Sequence, residues 1–137
     1  MPDALTMEGL VERMRGVRFA EQFDAVVAIA NGGCVPGALL AEQLGVPLEV
    51  LRINWRGADN VPCRERPLLL RKLGFDVRGR RFLVVDDRSK TGATFAAAGE
   101  VLREAGLVRT FCVNGNADYF LFNGECFRMP WRHSINN

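Results

Sequence analysis

The sequence predicts an α/β fold, with a mostly parallel, twisted sheet flanked by helices. Three observations point to this class. Short apolar runs alternate along the chain with stretches of helical periodicity. The apolar runs are continuous, as is typical of parallel strands that are buried on both faces. Because the 137 residues contain no linker and no repeat, we expect a single domain over residues 1–137.

The first half of the chain contains two helix-then-strand units. Thr6 is a suitable N-cap for a first helix, whose apolar residues recur at helical spacing. A strand is predicted over residues 23–30, since this apolar run is too short for a helix and is bounded by two glycines. A second helix is predicted over residues 35–45 with Gly45 as its end, followed by a strand over residues 46–53.

A long irregular segment over residues 54–67, rich in Gly, Pro, Asn and Arg, begins the second half. Loops of this length inside compact domains are usually functional or mobile. The remaining predicted elements are a strand over residues 80–86, a helix over residues 93–105, and strands over residues 107–114 and 117–122.

The overall composition excludes several classes of protein. Hydrophobic residues make up 48% of the chain and charged residues 25%, which is ordinary for a soluble globular protein. No stretch approaches the roughly 18 consecutive apolar residues of a membrane span. The N-terminal segment carries acids where a signal peptide would carry only bases, so we expect a cytoplasmic location. The four cysteines include no Cys-x-x-Cys pair, which favours reduced thiols over a zinc site or disulfides.

Positive charge is concentrated in the middle of the chain. The net charge is only +2, but residues 52–81 contain nine Lys and Arg against three Asp and Glu. Such a block attracts anions through its local field, unless it is simply a solvated, arginine-rich loop. Nucleic-acid binding is disfavoured, because Trp55 is the only aromatic residue within residues 54–67 that could stack on a base.

The segment FLVVDDRSKTGATF, residues 82–95, combines two binding chemistries. Asp86 and Asp87 follow four apolar strand residues, and ligands of parallel sheets bind at the carboxyl ends of strands. Two carboxylates can accept the hydroxyls of a ribose diol or help to hold a hydrated Mg²⁺. The turn from Lys90 to Thr94 opens a helix, where free N–H groups, Gly92 and the lysine charge favour a phosphate. One sugar phosphate would satisfy both, whereas the alternative is a plain strand-to-helix turn with aspartate caps.

A second glycine-containing turn follows the first predicted strand. The sequence ANGGCVPG, residues 30–37, places two glycines between that strand and a helix. These glycines permit a nest of backbone N–H groups that suits a pyrophosphate, although a simple tight turn has the same composition. Because both motifs follow strands of one predicted sheet, the binding interpretation gains weight.

Together the two motifs resemble the type I phosphoribosyltransferases, which bind 5-phosphoribosyl 1-pyrophosphate. FLVVDDRSKTGAT is similar to the family signature in order and spacing, and AIANGGCVPGALLAEQLGVPL resembles the pyrophosphate loop of the bacterial xanthine-guanine and hypoxanthine branch. The tail DYFLFNGECFRMPWR is similar to the base-binding hood of that branch. This likeness, over roughly residues 5–132, implies a type I phosphoribosyltransferase fold with a small C-terminal hood contributed by about residues 115–137.

The resemblance also implies an activity. It is the Mg²⁺-dependent transfer of a 5-phosphoribosyl group from phosphoribosyl pyrophosphate to a nitrogenous base, with release of pyrophosphate, as in purine salvage. The partners would be that donor and a small base, without nucleic acid or membrane, in a homo-oligomer such as a dimer. The alternative on the same fold is a non-catalytic sensor or regulator that binds phosphoribosyl pyrophosphate or a nucleotide.

Roles for individual residues follow from the same resemblance. The catalytic residues would be Asp86, Asp87 and Lys90, with Asp87 near the Mg²⁺. The residues around the 5′-phosphate would be Lys90, Thr91, Gly92, Ala93 and Thr94. Those that meet the pyrophosphate would be Asn31, Gly32 and Gly33, joined by Arg56, Arg64 and Arg66 of the long loop. Those that contact the base would be Asn114, Phe127 and Trp131.

Four features depart from that branch. One is the end of the strand over residues 107–114, where the branch normally has a lysine that contacts the exocyclic purine oxygen and this chain reads VNGN over residues 113–116. Asn31 stands where a basic residue is common, Lys90 where purine-using members typically have an aspartate, and Arg132 where an acid often follows the tryptophan. A charged lysine cannot accept a proton from a purine ring nitrogen. The last two changes suggest an acceptor with more negative charge than guanine or hypoxanthine, such as a carboxylated ring, unless these side chains simply face solvent.

Overall fold

The computed structural model describes residues 5–54, 68–69 and 73–132. In chain order its helices and strands are α1 (Met7–Arg15), β1 (Ala25–Ala30), α2 (Cys34–Leu44), β2 (Leu48–Asn54), β3 (Leu68–Leu69), β4 (Arg81–Ser89), α3 (Ala93–Val101), β5 (Leu107–Gly115) and β6 (Tyr119–Phe122). No helix in this part of the chain is long and apolar enough to cross a membrane.

The six strands form one sheet in the order β3-β2-β1-β4-β5-β6. Its five longer strands are parallel, and only the two-residue β3 runs antiparallel, beside the end of β2. The chain moves from β1 outward to β2 and then returns to the other side of β1 as β4. Such a reversal leaves a crevice at the carboxyl ends of the two central strands. The predicted α/β fold with a mostly parallel sheet is confirmed.

Helices cover both faces of the sheet, and each face has its own apolar core. Leu10 of α1 and Leu40 of α2 belong to one core, and Ala98 of α3 belongs to the other. Within β4, Val85 contributes to the α2 side and Val84 to the α3 side. Since side chains alternate along a strand, the residues that follow in β4 continue toward these two sides in turn.

The ends of the first two helices agree with the sequence signals. Thr6 Oγ1 accepts a hydrogen bond from the N–H of Gly9 at 3.0 Å, so Thr6 is the N-cap of α1. Gly45 caps α2 in the left-handed region with φ of 69°, where a residue without a side chain is favoured.

One difference from the predicted elements affects the site. β4 was predicted to end at Asp86 but extends to Ser89. β1 pairs with β4 only as far as Val85, whereas β5 continues alongside and pairs Cys112 with Asp86. Asp86 and Asp87 therefore lie inside the strand, at the point where β4 no longer pairs with β1 but still pairs with β5.

Other differences are small. α3 ends at Val101 rather than at residue 105, because the chain turns to bring Gly106 against Gly79, where a Cβ on Gly106 would lie 2.8 Å from a carbonyl oxygen. β1, β2 and β6 each begin two residues later than predicted. Before β1 and β6, Asp24 and Asp118 use their carboxylates to accept hydrogen bonds from the neighbouring strand, which competes with regular pairing.

Candidate functional site

The two glycine-containing turns lie at the same edge of the sheet, on the two central strands. Residues 31–33 connect β1 to α2, and residues 90–92 connect β4 to α3. Because β1 and β4 are adjacent and parallel, both turns occupy the crevice at the point where the strand order reverses.

The turn at residues 31–33 is packed directly against β4, so closely that only glycine fits. A Cβ on Gly33 would lie 2.1 Å from the carbonyl oxygen of Val85, and one on Gly32 would lie 2.5 Å from Oδ1 of Asp87. Real Cβ atoms essentially never come within 3.0 Å of such atoms. The peptide bond from Ala30 to Asn31 is cis. Gly33 therefore permits a close approach to the backbone of β4, and Gly32 permits a close approach to the carboxylate of Asp87.

The two aspartates are oriented toward different turns. By strand alternation, Asp86 continues the α3 side of β4 and Asp87 the α2 side. Asp87 is only 9% exposed and lies against Gly32. The N–H of Asp87 donates to Asp86 Oδ1 at 2.8 Å, which fixes the first carboxylate relative to the second. Asp87 is thus on the side of β4 that faces α2 and its turn, and Asp86 is on the side that faces α3 and its turn.

Two arginines face the carboxylate of Asp87. Arg88 Nη1 lies 3.6 Å from Asp87 Oδ2, and Arg132 Nη2 lies 3.8 Å from the same oxygen. The sequence suggests that Arg132 serves the acceptor or faces solvent, and in the structure its side chain is 38% exposed and also lies beside the carboxylate of Asp87. Both separations exceed a direct hydrogen bond, so the oxygen stays available to a ligand.

The environment of Asp86 disfavours a negative charge. Burial, and then the negative charge of Asp87, raise the pKa of Asp86 to about 8. A carboxylic acid with this pKa is mostly protonated at neutral pH, and any cation that binds beside it promotes its ionisation.

We expect this pKa to make stability depend on pH in the absence of divalent cations. Between pH 4 and pH 8 the unfolded chain ionises Asp86, whose ordinary pKa is 3.8, while the folded chain keeps the proton. The free energy of unfolding should therefore fall as pH rises through this window, by at most about 1.4 kcal/mol per pH unit from this group. Urea unfolding in EDTA at several pH values measures the slope, which should flatten in Asp86→Asn; an unchanged slope in that variant would contradict the assignment.

The carboxylate pair also allows a test of whether Mg²⁺ suits these residues. In residues 5–54, 68–69 and 73–132 there is no cluster of three or more His, Cys, Asp or Glu that would hold a metal alone. Mg²⁺ usually binds one or two carboxylates, with waters and substrate phosphates as its other ligands. Asp86 and Asp87 supply hard oxygen donors beside a phosphate-sized turn, so the residues present fit an Mg²⁺ ion that arrives with a phosphorylated substrate.

The residues predicted for the 5′-phosphate form the turn into α3: Lys90, Thr91, Gly92, Ala93 and Thr94. Gly92 adopts a left-handed conformation with φ of 79°, which reverses the chain after the strand. The N–H of Ala93 donates to Thr91 Oγ1 at 3.2 Å, and the first intrahelical bond runs from Ala96 to Gly92. The first turn of the helix therefore presents N–H groups at the open edge, where an anion is favoured.

Arg52 is a site residue that sequence reasoning missed. It lies beside Ala30 in the register of β1 and β2, and its Nη1 donates to Asn31 Oδ1 at 3.1 Å. The structure thus brings a guanidinium group to a turn whose own sequence has no basic residue. Ligands of parallel sheets bind at the carboxyl ends of strands. Applying this rule to β2, as well as to β1 and β4, would have identified Arg52.

The predicted base-contacting residues lie at the carboxyl end of β5 and in the segment after β6. Asn114 is 5% exposed, and its side-chain amide donates to the carbonyl of Glu125 and accepts from the N–H of Gly124, both at 3.0 Å. Asn114 thus fastens residues 123–126 over the end of β5. The amide is engaged with backbone groups rather than directed freely at a ligand.

The two predicted aromatic residues differ in exposure. Phe127 is 8% exposed and packs edge-on against Phe122, with ring centroids 5.2 Å apart. Its carbonyl accepts a hydrogen bond from Arg88 Nη2. Trp131 is only partly buried, so it retains more surface for a ligand than Phe127 does. Arg56, Arg64 and Arg66, the arginines predicted for the pyrophosphate, lie outside the described residues.

Comparison with known proteins agrees with this geometry. The sequence model of the phosphoribosyl transferase domain matches residues 5–121. A purine phosphoribosyltransferase from Pyrococcus horikoshii Ot3 superposes with a TM-score of 0.74 at 24% identity, covering 95% of this chain and 93% of that chain. Hypoxanthine phosphoribosyl transferase from Trypanosoma cruzi gives a TM-score of 0.70 at 16% identity, covering 89% and 77%. A Neisseria gonorrhoeae protein solved with bound ppGpp gives 0.67 at 18% identity, covering 92% and 75%.

Proposed function

Because the chain belongs to the phosphoribosyl transferase domain family, we propose that it transfers a 5-phosphoribosyl group from 5-phosphoribosyl 1-pyrophosphate to a nitrogen of a base. The observation that carries this proposal is the contact between the first turn, at residues 31–33, and the strand that leads into the second turn. A Cβ on Gly32 would lie 2.5 Å from Asp87 Oδ1, so the turn suited to a pyrophosphate touches the strand that leads to the turn suited to a 5′-phosphate. A single phosphoribosyl pyrophosphate carries both groups on one ribose.

Different residues of the chain would bind different parts of the donor. The turn into α3, residues 90–94, would receive the 5′-phosphate, while Asp86 and Asp87 would accept the ribose hydroxyls. The N–H groups of Asn31 and Gly32, together with Arg52, would receive the pyrophosphate, while the N–H of Gly33 donates to the carbonyl of Ile29 at 2.7 Å and holds the turn. The base would lie beneath residues 123–132, which belong to the predicted hood.

The reaction requires charge stabilisation rather than a protein nucleophile. The lone pair of the base nitrogen forms a bond to C1 of the ribose as the bond from C1 to the pyrophosphate oxygen breaks. The pyrophosphate leaves with that electron pair, and a proton on the attacking nitrogen passes to water. Donors held at the 31–33 turn and at Arg52 would stabilise the leaving group, and fixing the ribose would orient C1 toward the base.

Mg²⁺ would be held by Asp87 with Asp86 beside it. When bound, it would offset the negative charge of the pyrophosphate and promote ionisation of Asp86. The chain would still supply the orientation, since Asp87 is fixed by the N–H of Arg88, which donates to Asp87 Oδ1 at 2.8 Å.

A non-catalytic sensor or regulator of phosphoribosyl pyrophosphate or a nucleotide is the second candidate. The structural relative with bound ppGpp supports it, because that protein carries a phosphorylated nucleotide on a similar fold. The two candidates differ in whether the pyrophosphate leaves.

Pyrophosphate release separates the two candidates. The protein is incubated with phosphoribosyl pyrophosphate, Mg²⁺ and a panel of purines, pyrimidines and acidic heterocycles, and pyrophosphate and nucleotide are both quantified. We expect pyrophosphate and nucleotide to form in equal amounts with at least one base. Binding of the donor by calorimetry, without release for any base of the panel, would favour the sensor.

We also expect Arg52→Ala to raise KM for the donor about tenfold, because the variant removes a charge-assisted contact near the pyrophosphate. The effect on kcat should be similar or smaller. Arg78→Ala is the matched control, since Arg78 is a surface arginine whose side chain is 83% exposed and 3.4 Å from Glu104. Equal donor KM values for the two variants would contradict a role for Arg52.

A further inference from the structure

A polar pocket lies at the carboxyl ends of β4 and β5, next to the turn into α3. Its volume is about 220 Å³, and its side chains include Arg88, Ser89, Lys90, Asn114, Asn116 and Asn123. Typical ligand pockets measure roughly 300–1,000 Å³. The space therefore suits one small ring rather than a whole nucleotide.

The charge of this pocket is one-sided. Arg88 and Lys90 contribute two cations, and neither Asp nor Glu is among its lining residues. In the described part of the chain no carboxylate pairs with Lys90. The charge of Arg88 is partly offset by Asp87, whose Oδ2 lies 3.6 Å from Nη1, and it also acts on Asp86. An anion entering the pocket would thus meet the uncompensated charge of Lys90 and the partly compensated charge of Arg88.

Arg88 also has unused hydrogen-bonding capacity. Its Nη2 donates to the carbonyl of Phe127, which holds the guanidinium in place. Its Nε is buried and has no partner in the part of the chain that the structure describes. A buried N–H of a cation without an acceptor is costly, so the fold holds Arg88 beside the pocket at a cost that a role in ligand binding would explain.

The walls of the pocket select for oxygen-rich rings. The Asn123 amide donates to Asn116 Oδ1 at 2.7 Å, which holds two of the amides together. No aromatic side chain is among the lining residues to stack on a neutral ring. Recognition here would therefore depend on charge and hydrogen bonds rather than on stacking.

Resting on the proposed transfer, we propose that the acceptor is a small nitrogen heterocycle that carries a negative charge. The charge is a ring carboxylate or an ionised ring oxygen, and its oxygens accept hydrogen bonds from Arg88 and Lys90. The ring nitrogen supplies the electron pair that forms the bond to C1, as in the reaction above, so the negative group is bound and does not react.

Matched pairs of acceptors test this inference. Each pair shares one ring and differs in charge: uracil-6-carboxylate with uracil, and pyridine-3-carboxylate with pyridine-3-carboxamide. We expect the charged member of at least one pair to have kcat/KM about tenfold or more above that of its neutral partner. Equal or better use of the neutral partner in both pairs would overturn the inference while leaving phosphoribosyl transfer intact.

A variant of Lys90 tests whether the preference for charged acceptors comes from this pocket. In Lys90→Gln the ratio of kcat/KM for the charged acceptor to that for its neutral partner should fall about tenfold. Any effect of the variant on binding of the donor's 5′-phosphate cancels in this ratio, because both acceptors react with the same donor. Arg78→Gln is the control, as the Arg78 side chain is 83% exposed and does not line the pocket. An unchanged ratio in Lys90→Gln would overturn the assignment.

If no acceptor is turned over, direct binding measurements test whether the pocket prefers charged rings. Calorimetric titration of the same four rings into the protein should show binding of charged rings that weakens about tenfold in Lys90→Gln. That result would support the anion pocket while the transfer proposal fails. Binding of neither charged ring, or equal binding within each pair, would overturn the inference.

Discussion

Replacing Gly33 by alanine is expected to destabilise the protein by about 3 kcal/mol or more and to abolish donor binding. The added methyl group would lie 2.1 Å from the carbonyl oxygen of Val85 and 2.8 Å from that of Ile29. Both are backbone atoms of the central strands, so they cannot move aside without disturbing the pairing of β1 with β4. Urea unfolding followed by linear extrapolation measures the loss.

Gly99→Ala provides the matched control for Gly33→Ala. Gly99 lies within α3, and a Cβ there would have no atom within 4 Å. Alanine favours a helix over glycine by about 1 kcal/mol, so this variant should be as stable as the parent or more stable. If Gly33→Ala unfolds at the same urea concentration as the parent, the close approach of the turn to β4 is wrong.

Converting both Asp86 and Asp87 to asparagine should reduce kcat/KM about a thousandfold or more, because the site loses its two negative oxygen ligands for a cation and the ribose. The fold should persist. Asparagine keeps the oxygens that accept from the N–H groups of Asp87 and Arg88, and the change removes the repulsion between the two carboxylates. Pyrophosphate release gives the loss of activity, and urea unfolding shows whether stability is retained.

Asp76→Asn is the control for charge removal elsewhere, since Asp76 is an exposed aspartate in the segment before β4. It should behave as the parent in both assays. Turnover within tenfold of the parent in the double variant, with the control unchanged, would mean that the reacting site lies elsewhere.

Local patterns were sufficient to predict the fold and the two turns. The continuous apolar run before the glycines at positions 32 and 33 reflects a strand buried between two others, and that burial is also what requires glycine beside β4. The continuous apolar run before Asp86 likewise predicts that β4 is a strand buried between two others. Fold and turns could therefore be predicted from sequence, because each depends on neighbouring residues.

Contacts between distant residues could not be predicted. The extension of β4 to Ser89 depends on pairing with β5, and the pairing of Arg132 with Asp87 depends on how the chain returns after β6. The bond from Arg52 of β2 to Asn31, in the turn after β1, joins residues 21 positions apart. In each case the partner is set by sheet register and tertiary packing, which single-sequence patterns do not specify.

Asn114 has a structural role that its residue type and position did not predict. Its position at the end of β5 was predicted, but its amide holds Gly124 and Glu125 through backbone hydrogen bonds. The cations of the neighbouring pocket, Arg88 and Lys90, are better placed to meet a ligand. Residue type alone does not distinguish an amide that binds a ligand from one that fastens a loop.

If the two turns bind opposite ends of one phosphoribosyl pyrophosphate, the donor must compete with both of its fragments. Calorimetric displacement in Mg²⁺ measures this with phosphoribosyl pyrophosphate, ribose 5-phosphate and pyrophosphate. We expect each fragment to displace the donor, and the two fragments to bind together without displacing one another. Displacement of the donor by only one fragment, or by neither, would contradict a shared site built from the turns of β1 and β4.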